Sequence, residues 1–273
     1  MRFKWDRLVI HLVLLLGAIL MMLPFLWMLS TSFKTQAEAL LFPPTWIPKE
    51  FTLANYHVVW TKVHFPRYIY VSLVVTLFTL VGVLLTSILA AYAFSWFQFP
   101  GRESLFVGIL SLMMVPIPVY VVPLFVLVQK LGWVDTYYAL IVPWTANIFS
   151  IFLLRQHFRS IPANLYDAAV IDGCGRLRFL FQILLPLTKP ALVTIAVFNV
   201  IGSWNAFMWP LMVTNSDRMR VIQVGLAYFA QGESTNYPAL MAASTIAILP
   251  LVILFFFAQK QIVESYARSG LKE

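Results

Sequence analysis

The stretch Ile161-Pro-Ala-Asn-Leu-Tyr-Asp-Ala-Ala-Val-Ile-Asp-Gly-Cys-Gly175 is a short helical pattern between two long apolar runs. Ser160 and Pro162 suit the start of a helix, and Gly173 with Gly175 suit its end. Four residues recur at helical spacing on one face, and two of them are small: Leu165, Ala168, Ala169 and Asp172. We call residues 161–175 the docking segment, because small side chains allow a partner surface to approach closely.

The alternative for the docking segment is an amphipathic helix that lies on the bilayer and contacts no partner. The helical pattern by itself does not separate these two interpretations. A mainly apolar stretch from Phe179 to Leu185 follows the docking segment and leads back toward the membrane at Pro186 and Pro190.

The rest of the chain is strongly apolar: 61% of its 273 residues are hydrophobic and 11% are charged, against roughly 25% charged in a soluble domain. Runs without Asp, Glu, Lys or Arg cover 8–33, 68–101, 104–129, 136–154, 190–216 and 234–259. Each is long enough for a membrane-spanning helix, which takes about 18 residues or more. The sequence predicts an all-α integral membrane protein with six transmembrane helices, and the docking segment lies between the fourth and the fifth.

This pattern divides the chain into three parts. Residues 1–66 hold the first span and an external segment with several prolines and aromatics, residues 67–262 form the membrane core, and residues 263–273 form a cytosolic tail. With the N-terminus inside, the cytosolic segments carry twelve Lys and Arg residues and the external segments carry seven. The positive-inside rule then predicts that both termini and the docking segment face the cytosol. Nucleic-acid binding is the alternative explanation for the net charge of +8.

Proline occurs in all six apolar runs, and the cluster of Pro116, Pro118 and Pro123 is the densest. Interior prolines remove a backbone donor and tend to kink a helix. We expect a bend at this cluster, and the sequence leaves open whether the bend is static or a moving hinge.

The chemistry that the sequence lacks limits its function. The apolar runs contain no carboxylate for a proton relay, and Gly is nowhere followed by Lys, as a nucleotide-binding P-loop requires. The four histidines are scattered and Cys174 is the single cysteine, so we expect no metal site. Transport is therefore either passive or driven by another protein. A passive channel and a membrane enzyme remain the alternatives from a different class.

Two motifs resemble those of a known family. Asp167-Ala-Ala169, Ile171-Asp-Gly173 and Leu185-Pro-Leu-x-x-Pro190 resemble, in order and spacing, the EAA signature of binding-protein-dependent ABC importer permeases of type I. Trp204-Asn-Ala-Phe-Met-Trp-Pro-Leu211 resembles a motif of the carbohydrate subgroup, which is similar to the maltose permeases. The chain departs from the signature at Asp167, where Glu is usual, and at Asn164, where an acidic residue is common.

The resemblance implies a permease subunit of the prokaryotic cytoplasmic (inner) membrane that is not itself an enzyme. Its partners would be a sister permease, two ATPase subunits and an extracytoplasmic solute-binding protein. The chain would bind no cofactor, since ATP and Mg²⁺ belong to the ATPase. The residues that would dock on the ATPase are Leu165, Asp167, Ala168, Ala169, Asp172 and Gly173. The solute would be a sugar, an oligosaccharide or a polyol derivative, with another class of solute as the alternative.

Four residues of the fifth apolar run are candidates for the solute pathway: Asn199, Ser203, Trp204 and Asn205. Aromatic rings match the apolar C–H faces of a sugar, and amides match its hydroxyl groups. Packing or interfacial anchoring is the alternative for this motif, and we favour it for Trp209 and Pro210.

Overall fold

The computed structural model describes residues 2–62, 64–230 and 236–270, with side chains for 7–61, 64–227, 229–230 and 236–259. In this part of the chain every regular element is a helix, as the apolar runs predict. The predicted tail 263–273 falls outside the described side chains, and its last three residues lie outside the description altogether.

The helices differ widely in length. The α-helices are α1 (Arg2–Ser32), α2 (Gln36–Ala39), α3 (Ala54–Lys62), α4 (Phe65–Trp96), α5 (Arg102–Ser111), α6 (Ile117–Lys130), α7 (Tyr137–Ile141), α8 (Ile148–Arg159), α9 (Ala163–Ile171), α10 (Arg176–Phe179), α11 (Leu185–Leu187), α12 (Lys189–Trp204), α13 (Met208–Val213), α14 (Ile222–Ala230) and α15 (Tyr237–Gly270). Leu112–Met114 and Val142–Trp144 form 3₁₀ turns, and Leu180–Leu184 is π-helical.

Four of the predicted spans are long apolar helical segments. They cover Arg7–Ser32, Phe65–Trp96, Tyr137–Arg159 and Tyr237–Gln259. Each is at least 23 residues long, enough to cross the hydrocarbon core of a bilayer.

The other two predicted spans are bent pairs of helices. Arg102–Met114 and Ile117–Lys130 meet at 99°, and Arg176–Leu187 and Lys189–Trp204 meet at 79°. The first bend lies at the proline cluster: Val115 and Pro116 are both extended, with ψ of 115° and 142°. For Val115 this conformation is expected, because proline disfavours the helical region for the residue before it. The part of the chain that the structure describes therefore holds four long spans, or up to six if each bent pair crosses the membrane.

The chain divides into two compact units, residues 1–67 with 224–250 and residues 68–223 with 251–273. In the first unit the external segment folds around a buried lysine. The Lys34 ammonium donates to the Thr45 carbonyl and lies 4.4 Å from the centre of the Trp27 ring. Glu38 accepts from the Thr45 hydroxyl at 2.9 Å and from the Lys49 amide at 2.8 Å. These contacts order a segment whose prolines prevent one continuous helix.

In the second unit an apolar core packs against one side of the docking segment. It joins the end of α4 to α8, α9, the π-helical turn and the start of α12. The buried residues of this core are Val83, Ala91, Tyr92, Leu154, Phe158, Ala169, Phe179, Leu180, Leu184, Ala191 and Ile195. The docking segment is thus held by the ends of several helices.

Candidate functional site

The docking segment forms helix α9, which begins one position after Pro162. Pro162 has φ −60° and ψ 136°, so it enters the helix from extended backbone. The prediction that Ser160 starts this helix is wrong. Ser160 instead ends α8, where its amide and hydroxyl both donate to the His157 carbonyl, at 3.2 and 2.8 Å.

Glycine ends α9, as the sequence predicts. Gly173 has φ +74°, a conformation that residues with a Cβ adopt at a cost. The Cys174 amide donates to the Ala169 carbonyl at 2.8 Å, and the Gly173 amide donates to the Val170 carbonyl at 3.0 Å. These two bonds form a Schellman motif, which satisfies carbonyls at the end of the helix.

The inner face of α9 packs against its own chain. The Tyr166 ring lies 4.9 Å from Phe179 and 5.4 Å from Trp96, measured between ring centres. Ala169 is only 5% exposed and belongs to the apolar core. The prediction that Ala169 faces a partner is therefore wrong: one side of the helix must be covered by the chain, and Ala169 lies on that side.

The outer face of α9 is exposed. It carries Asn164, Asp167, Ala168 and Ile171, and the Ile171 side chain is 85% exposed. Leu165 and Asp172 are also exposed and flank this face. Of the predicted docking residues, Leu165, Asp167, Ala168 and Asp172 present side chains to the surface, and Gly173 shapes the turn. Ile171 is an exposed apolar residue that the sequence analysis missed. The predicted docking face was counted in helical steps from Leu165, which does not include Ile171.

Polar contacts fix this end of the second unit. The Tyr92 hydroxyl donates to the Arg176 carbonyl at 3.0 Å, which ties α4 to the chain just after the docking segment. Arg155 is 3% exposed and donates to both carboxylate oxygens of Glu103, at 2.8 and 2.6 Å. Its guanidinium also donates to the Phe94 carbonyl at 3.2 Å. The chain just after α9 is therefore tied to α4, and α8 is tied to α4 and α5.

A second feature of the same unit is a cavity of about 390 Å³. This volume falls within the range of about 300–1,000 Å³ that is typical of small-molecule sites. Its walls come from α4, α6, α7, α8, α12, α13 and the turns beside them. The residues that line it are Val75, Thr79, Ile117, Leu140, Trp144, Ala146, Asn147, Phe149, Phe198, Asn199, Gly202, Ser203, Ala206, Phe207, Met208, Trp209, Pro210 and Val221.

Two asparagines in the cavity wall are held by Ser150. Asn147 caps α8, and its Oδ1 accepts from the Ser150 amide and hydroxyl at 2.8 and 2.9 Å. The Asn199 Nδ2 group donates to the Ser150 hydroxyl at 3.2 Å and to the Ile195 carbonyl at 2.8 Å. The Asn147 Nδ2 group and the Asn199 Oδ1 atom have no hydrogen-bond partner among the described residues.

Aromatic rings supply much of the remaining wall. Trp209 donates from Nε1 to the Ala139 carbonyl at 2.8 Å, and its ring meets the edge of Trp144 with 5.9 Å between centres. Phe149 and Phe198 form a second edge-to-face pair at 6.4 Å. The wall therefore combines apolar ring surface with a few fixed amide and hydroxyl groups.

The structure separates the predicted pathway residues into two groups. Asn199 and Ser203 line the cavity. Trp204 and Asn205 do not: Trp204 is buried in packing, and the Asn205 Oδ1 accepts from Gln223 Nε2 at 3.2 Å. Trp209 and Pro210, for which we favoured packing, are largely buried and also form part of the wall.

Sequence reasoning missed Thr79, Trp144 and Asn147, which come from two other apolar runs, 68–101 and 136–154. Asn147 carried a usable signal, because it is an amide inside an apolar run, like Asn199. Nothing in the sequence indicated that these segments meet at one cavity.

The comparison with known families decides the class of this chain. The family described as the binding-protein-dependent transport system inner membrane component matches residues 82–268, which include the docking segment and most of the cavity wall. The chain belongs to this family. The resemblance in the two sequence motifs is thereby confirmed, and membership in a transporter family disfavours the membrane-enzyme alternative.

Relatives within this family carry different solutes in their names. The chain is 39% identical to the trehalose/maltose transport system permease protein MalG of Thermococcus litoralis, over 96% of this chain and 97% of that protein. It is 32% identical to the sn-glycerol-3-phosphate transport system permease protein UgpE of Brucella abortus, over 95% of each chain.

A solved structure shares the fold. A chain of a bacterial ABC transporter involved in the import of the acidic polysaccharide alginate superposes with a TM-score of 0.83. The match covers 94% of this chain and 96% of the other at 23% identity. The chain therefore shares the overall fold of that transporter chain.

Proposed function

We propose that this chain is the permease subunit of an ATP-driven importer that brings a carbohydrate across the cytoplasmic membrane. It forms half of the translocation pathway with a sister permease. Two ATPase subunits bind on the cytosolic side, and a solute-binding protein delivers the solute from outside. Membership in a family of binding-protein-dependent membrane components carries this proposal.

Coupling to the ATPase occurs at the outer face of α9. This face presents Ala168 and Ile171, a small side chain beside an exposed apolar one, which suits insertion into an apolar cleft. The inner face is fixed to the core through Tyr166 and Ala169, so a movement of the ATPase is passed on to α4 and α8.

The membrane orientation follows from the charge distribution. Each bent pair counts as one span, which gives six spans and places both termini on one side. The excess of basic residues on the side of Arg155, Arg159, Arg176 and Arg178 assigns that side to the cytosol. The external segment around Lys34 and the loops around Asp135 and Asp217 then face outward.

The relatives support a carbohydrate as the solute, since one is named for trehalose and maltose. The cavity lined by Asn199 and Ser203 lies in the unit that carries α9, and its rings and amides suit a sugar. A polyol phosphate is the second candidate, favoured by the relative named for sn-glycerol-3-phosphate.

Reconstitution tests this function. The chain, its sister permease, the ATPase and the binding protein are assembled in proteoliposomes, and uptake of radiolabelled solute is measured with and without ATP. We expect accumulation only with ATP inside the vesicle and with all subunits present. Accumulation driven by a proton gradient in vesicles that lack the ATPase would contradict the proposal.

A further inference from the structure

Charge is absent from the cavity in the second unit. Among its eighteen lining residues, all within the described part of the chain, there is no Asp, Glu, Lys, Arg or His. The polar side chains in the wall are Thr79, Asn147, Asn199 and Ser203, all neutral, and the indole Nε1–H of Trp209 is already bonded to Ala139. This composition bears on which solutes the cavity can hold.

We infer that this chain itself contributes a binding subsite for an uncharged sugar unit, and that this subsite does not take carboxylated or phosphorylated solutes. The inference rests on the proposed function and narrows its solute class. A carboxylate or phosphate that leaves water without a cationic partner loses solvation that neutral amides do not replace. Proteins recognise such groups mainly with arginine and lysine, and the wall has neither.

The N-terminus of α8 lies at the cavity wall, and its own cap residue already bonds one of its first amides. Helix N-termini attract anions because their first amides lack partners. Here the Asn147 Oδ1 accepts the Ser150 amide at 2.8 Å, so the cap residue takes the place that an anion would occupy. The cavity therefore meets the Asn147 carboxamide group at this helix end, where an uncapped helix would offer free amides.

The neutral groups are arranged to suit hydroxyls. The Asn147 amide group is a donor and the Asn199 carbonyl oxygen is an acceptor, and both are oriented by Ser150. Thr79 lines the same cavity with its side chain, but its hydroxyl oxygen is itself buried and offers a solute no accessible surface. Sugar hydroxyls both donate and accept, so one sugar unit can bond the Asn147 and Asn199 amide groups while its C–H face contacts Trp144 or Phe149.

Gly202 gives direct access to this subsite. It lines the cavity, and a Cβ added there would meet no atom within 4 Å. Gly108 is a matched control, because its added Cβ also meets nothing and it lies on α5 away from the cavity wall. Substitutions at both positions should leave the fold intact.

The test uses Gly202→Cys in the complete assembly, with the native Cys174 replaced by Ser. Alkylation by N-ethylmaleimide is timed with no solute, with maltose, trehalose, cellobiose or raffinose, and with sn-glycerol 3-phosphate at the same concentration. We expect the neutral sugar that the assembly imports to slow alkylation several-fold and sn-glycerol 3-phosphate to have no effect. Gly108→Cys should react at one rate throughout.

The outcomes separate the inference from the proposed function. An imported neutral sugar that gives no protection at Gly202→Cys would overturn the subsite while leaving the importer intact. Protection by sn-glycerol 3-phosphate would overturn the exclusion of anions. Absence of ATP-dependent uptake of any solute by the unmodified assembly would overturn the proposed function, whatever the alkylation shows. As a second arm, Gly202→Phe should abolish sugar uptake, whereas Gly108→Phe should keep it.

Discussion

At the scale of single residues, Asp135 joins two loops that the sequence gives no reason to connect. It has φ +61°, its amide donates to the Val213 carbonyl at 2.7 Å, and its Oδ1 accepts from the amides of Asn215 and Ser216 at 2.9 and 3.0 Å. Burial raises the pKa of Asp135, but the hydrogen bonds from Ser216 and Asn215, with the charge of Arg220, outweigh it and lower the pKa overall. The ionised carboxylate is therefore the form that holds these loops together.

The lowered pKa of Asp135 predicts how the stability of the protein depends on pH. Because the pKa of Asp135 is lower in the folded protein, its contribution is complete above the unfolded value of about 3.9 and is lost as the pH falls below it. We expect Asp135→Asn to lower the melting temperature at pH 7 and to reduce the further fall below about pH 4. Thermal unfolding in detergent from pH 7 to pH 3 measures this, with the exposed Glu50→Gln as control. An acid limb that is unchanged in Asp135→Asn would contradict this role.

Arg155 provides a second prediction at this scale. It is buried, bonds both oxygens of Glu103, and lies 3.9 Å from the centre of the Phe106 ring. Arg155→Ala removes all of these contacts, and we expect the melting temperature to fall by several degrees. Arg159→Ala is the control. The Arg159 side chain is 51% exposed and its guanidinium lies 3.8 Å from the same carboxylate, a longer distance than that of Arg155, so its loss should have little effect. Equal effects of the two substitutions would show that burial of Arg155 contributes nothing.

The sequence identifies such residues unevenly. Asn199 and Ser203 could be selected because a polar side chain that faces lipid is unfavourable, and both line the cavity. Trp204 and Asn205 were selected for their chemistry alone, and neither lines the cavity: Trp204 is buried in packing, and Asn205 is exposed and bonded to Gln223. Asp135 could not be found, since its partners lie 80 residues away along the chain.

At the scale of elements, α9 shows what a pattern determines and what it leaves open. The proline before the helix, the helical spacing and the glycine after it could all be read from the sequence. The side that the chain covers could not, because Ala168 and Ala169 are identical in size and adjacent. Their difference is set by Phe179 and the rest of the apolar core, which come from other elements.

Two glycines after α9 test its end. Gly173 has φ +74° and Gly175 has φ −71°, and an added Cβ meets nothing within 4 Å at either position. Gly173→Ala should therefore destabilise the protein by about 1–2 kcal/mol through backbone strain alone. Gly175→Ala should have almost no effect, and thermal unfolding of the two variants measures the difference. A harmless Gly173→Ala would mean that the Schellman turn does not fix the helix end.

The two bent helix pairs also show that local sequence predicts only part of the geometry of an element. The proline cluster predicted a bend, and the first pair is bent at Pro116. The bend of 79° before Lys189 was not predicted, although Pro186 and Pro190 flank it. Proline marks where a helix can break, but the angle depends on packing that the local sequence does not contain.

At the scale of the whole molecule, composition predicted an integral membrane protein and two motifs predicted its family, and the family match confirmed the second prediction. The orientation in the membrane remains a prediction from the distribution of Lys and Arg. We expect Ser160→Cys to resist an impermeant maleimide added outside intact cells and Lys49→Cys to react, both with Cys174 replaced by Ser. Both positions are exposed. Labelling at Ser160→Cys from outside would reverse the topology and remove α9 from the cytosol.

The account depends most on the claim that the outer face of α9 couples this chain to an ATPase. Stimulation of ATP hydrolysis by the sugar-loaded binding protein, measured in the reconstituted assembly with Ala168→Trp, tests it most directly. The substitution enlarges an exposed side chain, so the chain should fold and insert normally, whereas Ala169→Trp should destabilise the chain itself by overpacking, at about 1–3 kcal/mol. Ala18→Trp, an equal enlargement at an exposed position of α1, serves as the control. We predict that Ala168→Trp loses the stimulation and Ala18→Trp keeps it; full stimulation in an assembled Ala168→Trp transporter would contradict the account.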